Sequence, residues 1–82
     1  MQNSRQISTR SKPKLELKEI GSRIRDLRGD VRQEDFAIQL GISQGHLSKV
    51  ERGQLAPTLE IVLKLAVRFD KTLDWLVRGE SS

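Results

Sequence analysis

Apolar residues recur at helical spacing in several segments of the chain from Leu15 onwards. In the first segment they are three, four and three residues apart, and charged side chains fill the opposite face. These apolar residues are Leu17, Ile20, Ile24 and Leu27. Gly29 and Asp30 then interrupt the pattern, so the sequence predicts a first helix that ends there.

Two short helices are predicted next, with a three-residue turn between them. The second helix covers Gln33–Leu40 and is followed by Gly41, which adopts a left-handed backbone at little cost. Ser43 stands where an N-cap belongs, because its hydroxyl can accept from first-turn amides of the next helix. That third helix is predicted over Gln44–Arg52 and stops at Gly53.

A fourth helix, Leu59–Phe69, carries a broad apolar stripe. Such a stripe fits a central helix covered by its own neighbours, and it also fits a helix that is partly exposed as a subunit contact. Thr72 can cap a last short helix over Leu73–Arg78. Trp75 belongs to the apolar set of that helix, so a core position is favoured over an exposed stacking platform.

Composition agrees with an all-α fold. The chain of 82 residues is long enough for one domain with a modest core, and it has only two prolines. Four of its 15 basic residues lie within residues 1–14, which contain no acid, so the remaining 11 basic and 11 acidic residues balance. We therefore expect a flexible basic N-terminal arm over 1–14 and a folded domain over 15–82. Both a tail without a role and an arm that wraps DNA fit this composition.

The sequence also predicts where the protein works. No apolar run approaches the roughly 18 residues of a transmembrane helix, and the N-terminus lacks the apolar stretch of a secretory signal. Cysteine is absent, which suits a reducing compartment. We expect a cytoplasmic protein without a membrane partner.

The second and third helices together predict a helix-turn-helix over residues 33–53. The short connection forces the two helices to cross steeply, and the small Ala37 permits close approach. The third helix buries only Leu47 and Val50. Its outward side chains are polar: Gln44, Gly45, His46, Ser48, Lys49 and Arg52. Such a helix fits the major groove of DNA, where glutamine can pair with adenine and lysine with guanine.

The stretch QEDFAIQLGISQGHLSKVERGQLAPTLEIVLKLA resembles the Cro/lambda-repressor-type (XRE-like) helix-turn-helix family. The segment LDWLVRG is similar to the closing helix of small repressors of this kind, so the resemblance covers about residues 17–79. It implies a compact five-helix lambda-repressor-like domain of prokaryotic or phage origin. It also implies a transcriptional regulator, a repressor in most cases, that binds a palindromic operator as a homodimer with half-sites about 34 Å apart.

The resemblance also implies roles for individual residues. Gln33 would touch a phosphate and brace Gln44, and Gln44 would contact an adenine. Gly45, His46 and Lys49 occupy the other base-facing positions. Ser43, Ser48 and Arg52 would lie near the DNA backbone. Arg28 and Glu51 match a structural ion pair that braces the first helix on the third.

The position before Gln33 departs from the family pattern, because Arg32 replaces the usual hydroxyl residue. Asp30 lies three residues before Gln33, at the spacing of a capping box, and could cap the second helix instead. Alternatively, Arg32 could serve as a phosphate ligand.

A homodimer interface is expected on the fourth and last helices. The candidate residues are Ile61, Leu63, Val67, Leu73, Leu76 and Val77. An alternative function is an antitoxin-type or restriction-modification controller protein whose helix-turn-helix serves autoregulation. In that case a protein partner would dock on the same two helices.

Enzymatic activity is not expected, since the sequence offers no nucleophile–base pair and no phosphate-cradling glycine loop. His46 is the only histidine and has no cysteine or second histidine to complete a metal site, so neither a metal nor a cofactor is predicted. A solvated His46 and one close to a DNA phosphate both fit the sequence. Lys49 and Arg52 could likewise be ordinary surface charges.

Overall fold

The computed structural model describes residues 15–79, which form five α-helices and no strand. The helices are α1 (Leu17–Arg28), α2 (Gln33–Leu40), α3 (Gln44–Glu51), α4 (Leu59–Phe69) and α5 (Leu73–Arg78). The all-α prediction is thus confirmed. The predicted N-terminal arm, 1–14, lies outside the described residues.

Hydroxyl caps begin three of the helices. Ser43 Oγ accepts from the His46 amide at 3.0 Å, as predicted. Thr58 Oγ1 accepts from the Ile61 amide at 3.3 Å, and Thr72 Oγ1 accepts from the Trp75 amide at 3.0 Å. Each bond satisfies an amide that has no partner within its own helix, so the starts of α3, α4 and α5 follow from local chemistry.

The start of α2 is not capped by Asp30. Arg32 itself is the N-cap residue, and no side chain caps the helix. Asp30 lies two residues before the N-cap and does not serve as the cap, so that expectation is wrong. The Arg32 guanidinium instead pairs with Asp35, with 3.1 Å between Nε and Oδ2. The first-turn amides of α2 therefore receive no side-chain acceptor.

All five helices contribute to one apolar core. Its buried residues are Ile20, Ile24, Phe36, Ala37, Leu40, Leu47, Val50, Ile61, Val62, Leu65 and Leu76. The rings of Phe36 and Phe69 join α2 to α4 with 6.2 Å between their centroids. Trp75 packs half-buried against this core, and Lys71 Nζ lies 4.7 Å from its ring centroid.

The helices predicted to form a dimer interface turn two of the six candidates inward. Ile61 is 3% exposed and Leu76 is 1% exposed, so neither can form a contact between copies of the folded chain. Val77 is half-buried against the core. Leu76 is buried because α5 packs on both α1 and α4.

The opposite flank of α4 remains uncovered. Leu59, Leu63 and Val67 are 69%, 46% and 82% exposed, and their spacing of four residues places them in one row along the helix. One side of α4 is covered by neighbouring helices, and the other is an exposed apolar row of three residues, which we call the α4 row. The covered side agrees with a central helix packed by its neighbours, and a subunit contact on the exposed side stays a prediction.

Within residues 15–79 no helix has both the length and the apolar character needed to cross a bilayer. The same residues contain no group of three or more histidine, cysteine, aspartate or glutamate side chains placed to hold a metal ion.

Candidate nucleic-acid interface

Helices α2 and α3 are joined by a tight turn that carries its own backbone bonds. Gly41 has a φ of 76°, the left-handed conformation predicted for it. Its amide donates to Ile38 O at 3.1 Å, and the Ile42 amide donates to Ala37 O at 3.0 Å. These bonds satisfy the last carbonyls of α2 and reverse the chain within three residues. Ala37 is buried, and α2 packs directly on α3.

Helix α3 is held in place by contacts with α1. The Glu51 residue is 8% exposed, although it is charged. Arg28 on α1 donates from Nε to Glu51 Oε2 at 2.8 Å and from Nη2 to Oε1 at 2.9 Å. This two-pronged pair satisfies both carboxylate oxygens, and the bonds to Glu51 raise the pKa of the Arg28 guanidinium against the opposing effect of burial. The ion pair expected from the family resemblance is present.

Two glutamines continue from this ion pair to the surface. Gln33 Nε2 donates to Glu51 Oε1 at 3.0 Å, and Gln44 Nε2 donates to Gln33 Oε1 at 3.4 Å. Arg28, Glu51, Gln33 and Gln44 thus form one continuous hydrogen-bonded series, which we call the glutamine relay. It links α1, α2 and α3 and ends on the exposed side chain of Gln44.

The outer face of α3 presents the remaining polar residues identified from the sequence. Gln44, Gly45 and Lys49 are exposed. His46 and Ser48 are half-buried. Ser43 is exposed, but its hydroxyl already accepts the cap bond.

Arg52 ends this helix as the C-cap residue, so α3 is one residue shorter than predicted. Its Nε donates to Ser48 O at 3.3 Å, which leaves the rest of the guanidinium facing solvent. Two cations, Lys49 and Arg52, therefore lie at the C-terminal half of α3. The single carboxylate of α3, Glu51, is buried and neutralised by Arg28. The accessible face of the helix is accordingly positive.

Sequence reasoning missed the contacts that seat α3 on α1. Gly21 is buried in the middle of α1, and a Cβ there would collide with the backbone carbonyls of Val50 and Glu51. Gly53 has a φ of 76° and lies against the backbone of Lys18. The available signal was a glycine inside an otherwise regular helical pattern, which usually marks close packing.

A second missed contact anchors α5. Arg23 on α1 donates from Nε to Leu76 O at 2.9 Å and from Nη2 to Val77 O at 3.2 Å. These are last-turn carbonyls of α5, where a cation is favoured by the helix dipole. The sequence pattern shows only a charged residue on the polar side of α1, so it gives no sign of this partner.

Comparison with known proteins agrees with this geometry. A family model described as helix-turn-helix matches residues 23–76. The P22 c2 repressor protein, in a crystal structure with a synthetic operator, is 30% identical with a TM-score of 0.66, and the alignment covers 74% of this chain and 96% of that one.

The restriction-modification controller protein C.AhdI from Aeromonas hydrophila is 35% identical with a TM-score of 0.62, over 74% of this chain and 91% of that one. Comparison with curated proteins gave no match. The chain therefore belongs to the helix-turn-helix family of DNA-binding transcription regulators, in its Cro/lambda-repressor (XRE-like) branch.

Proposed function

We propose that this protein is a repressor that binds a palindromic operator as a homodimer, with α3 of each copy in the major groove. The observation that carries the proposal is the polar, positive outer face of α3 on a helix that is rigidly seated by the buried Arg28–Glu51 pair. A helix that projects polar side chains from a fixed position can read base edges, because those side chains reach the groove in a defined register.

Base contacts are assigned to the exposed residues of α3. Gln44 has an amide that can pair with adenine, and Lys49 can donate to guanine O6 and N7. Gly45 and His46 lie between them along the helix and face the same groove.

Phosphate contacts are assigned to residues at the two edges of the helix-turn-helix. The N-terminus of α2 has amides without a side-chain cap and directly follows Arg32, which suits a phosphate oxygen. Gln33 lies next to it, and Ser43, Ser48 and Arg52 flank the other side. These contacts position the protein on the duplex without reading its sequence.

Selection from a pool of random DNA sequences tests the whole proposal. Selection of bound duplexes from random DNA should return one motif with two-fold symmetry and half-sites one helical turn apart. Gln44→Ala and Lys49→Ala should lose operator affinity in a mobility-shift titration while their circular dichroism stays that of the parent. Gln39→Ala is the matched control, because Gln39 is an exposed glutamine on α2 and lies outside the recognition helix. Full operator binding by both α3 variants would overturn the assignment of the recognition helix.

The homodimer is assigned to the α4 row, together with Leu73 on α5, which is 42% exposed. Exposed apolar side chains in a continuous row favour a subunit contact, since association removes them from water. Val67→Glu should shift sedimentation equilibrium towards the monomer and weaken binding to the full palindrome more than to one half-site. Ile38→Glu, an equally apolar position on α2 that is 73% exposed, should leave the equilibrium unchanged.

A controller or antitoxin-type function is the second candidate, favoured by the likeness to the controller protein C.AhdI. Residues Leu40, Leu63 and Val67 line a groove between α2 and α4 that could receive a partner protein. Copurification of a stoichiometric partner from the native host, lost in Val67→Glu but kept in Ile38→Glu, would support this function. A symmetric motif bound by the pure protein alone would favour the homodimer.

A further inference from the structure

We infer that Glu51, although buried and remote from the DNA-facing surface, sets the orientation of the Gln44 amide and thereby its preference for adenine over guanine. This inference rests on the proposed function of α3 as the recognition helix. It makes Glu51 a positioning residue for sequence specificity in addition to its structural role in the ion pair with Arg28.

The Glu51 carboxylate determines how the Gln33 amide is turned. Paired with the Arg28 guanidinium, Glu51 has only acceptor oxygens to offer its neighbours. Gln33 lies within hydrogen-bond distance of Glu51 Oε1, at 3.0 Å. The carboxamide of Gln33 must therefore turn its nitrogen towards Glu51, because the reverse orientation would set two acceptors against each other.

The orientation of the Gln33 amide in turn determines that of the Gln44 amide at the surface. With Nε2 of Gln33 committed to Glu51, its Oε1 faces Gln44, which donates to it from Nε2 at 3.4 Å. Gln44 must also present nitrogen rather than oxygen on that side. Its Oε1 and the second hydrogen of Nε2 remain available to DNA.

The Gln44 groups that remain available, Oε1 and one hydrogen of Nε2, match adenine. Adenine presents an N7 acceptor and an N6 donor in the major groove, whereas guanine presents two acceptors, N7 and O6. The free hydrogen of Gln44 Nε2 suits N7 of either purine, but Gln44 Oε1 suits only the adenine amino group. Guanine would place O6 against Oε1 with no proton between them.

The relay matters because an isolated glutamine amide has almost the same shape when its oxygen and nitrogen exchange places. Without a fixed partner, Gln44 could rotate and offer both hydrogens to guanine. The relay opposes that rotation, because a turned Gln44 would set its oxygen against Gln33 Oε1, which the bond to Glu51 holds in place, and would lose the 3.4 Å bond. Loss of that exposed hydrogen bond shifts the ratio of the two orientations by up to about tenfold.

The test measures discrimination rather than affinity. The operator position read by Gln44 is the one whose base preference disappears in Gln44→Ala during selection from random DNA. Two operators are then compared, one with A·T and one with G·C at that position. We expect the parent to prefer adenine by roughly tenfold or more. Gln33→Met, which cuts the relay but leaves the Arg28–Glu51 pair in place, should reduce this preference to about threefold or less.

Two further variants separate positioning from stability. Glu51→Gln can donate as well as accept, so it should release the relay and also lose the preference. Arg28→Lys should lower the unfolding midpoint but keep the preference, because Glu51 remains an acceptor. Loss of any contact between Gln33 and phosphate cancels in the ratio, since both operators share the same backbone.

An unchanged preference in Gln33→Met would overturn the inference, and so would a parent protein that binds the two operators equally while Gln44→Ala weakens binding. If Glu51→Gln does not fold by circular dichroism, the Gln33→Met result decides. Failure of the proposed function would look different, because the parent itself would then select no motif from the random pool.

Discussion

Gly21 of α1 lies directly against the backbone of Glu51 at the end of α3. A Cβ on Gly21 would come 2.8 Å from the Glu51 carbonyl carbon and closer still to the carbonyl oxygens of Val50 and Glu51. Gly21 and Arg28 are seven residues apart and therefore share one face of α1. The close approach at Gly21 therefore lies on the same face of α1 as Arg28. It brings α1 near enough to α3 for the Arg28–Glu51 ion pair to form.

We expect Gly21→Ala to destabilise the protein by about 2 kcal/mol or more, because the added methyl group meets backbone that cannot rotate away. Gly45→Ala is the matched control, since a Cβ at that helical glycine would meet nothing within 4 Å. It should be neutral or stabilising by up to about 1 kcal/mol, through the better helix propensity of alanine. Urea unfolding followed by circular dichroism measures both, and equal midpoints for the two variants would contradict the close-packing argument.

Arg23→Met should loosen α5. The change removes two charged donors from the carbonyls of Leu76 and Val77, and we expect a loss of about 1–2 kcal/mol. Trp75 is the only tryptophan, so its fluorescence reports on α5 while far-ultraviolet circular dichroism reports on all helices. In Arg23→Met the fluorescence midpoint in urea should fall below the circular dichroism midpoint. Arg25→Met, on the exposed side of the same helix, should keep the two midpoints together.

A double-mutant cycle separates the buried ion pair from an exposed one. Arg28→Met and Glu51→Met should each cost about 2–4 kcal/mol, because each strands a partly buried charge. The double variant should cost less than the sum by at least about 1 kcal/mol. The same cycle on Arg32 and Asp35, whose side chains are 73% and 45% exposed, should show coupling below about 0.5 kcal/mol. Equal coupling in the two cycles would mean that burial of the Glu51 carboxylate contributes nothing.

Local chemistry explains why so much of this fold could be predicted. The bounds of α2, α4 and α5 agree with the prediction residue for residue. Hydroxyl caps determine the starts of α4 and α5, and a left-handed residue follows the end of each of the three helices: Gly41, Asp70 and Gly79. Gly41 and Thr72 form hydrogen bonds with residues no more than four positions away, so their effect can be inferred from the local sequence. Of the two alternatives for the start of α2, Asp30 as the cap is wrong, because Arg32 is the N-cap residue and no side chain caps the helix.

Contacts between distant segments were not predictable in the same way. The burial of Leu76 depends on where α5 folds back onto α1 and α4, and helical periodicity does not encode that direction. The bond from Gln33 to Glu51 depends on the crossing of α2 over α3, which spacing along the chain leaves undetermined. The ion pair of Arg28 with Glu51 was expected only through the family resemblance.

The two cations of α3 should behave differently on DNA. Arg52 is held along the end of the helix by its bond to Ser48 O, at the margin assigned to phosphate. Lys49 is exposed one turn earlier, on the side assigned to base edges. A phosphate contact releases counterions wherever the protein binds, whereas a base contact forms only on the operator.

We therefore expect Arg52→Ala to weaken binding to the operator and to shuffled DNA by the same factor. It should also reduce the slope of log K against log salt by about 0.9 on both. Lys49→Ala should weaken operator binding more than binding to shuffled DNA, so that the ratio of the two affinities falls by roughly tenfold. Titrations on both duplexes across a series of salt concentrations measure these quantities. If Lys49→Ala lowered both affinities equally, Lys49 would be a phosphate ligand, and base reading by α3 would depend on its N-terminal half alone.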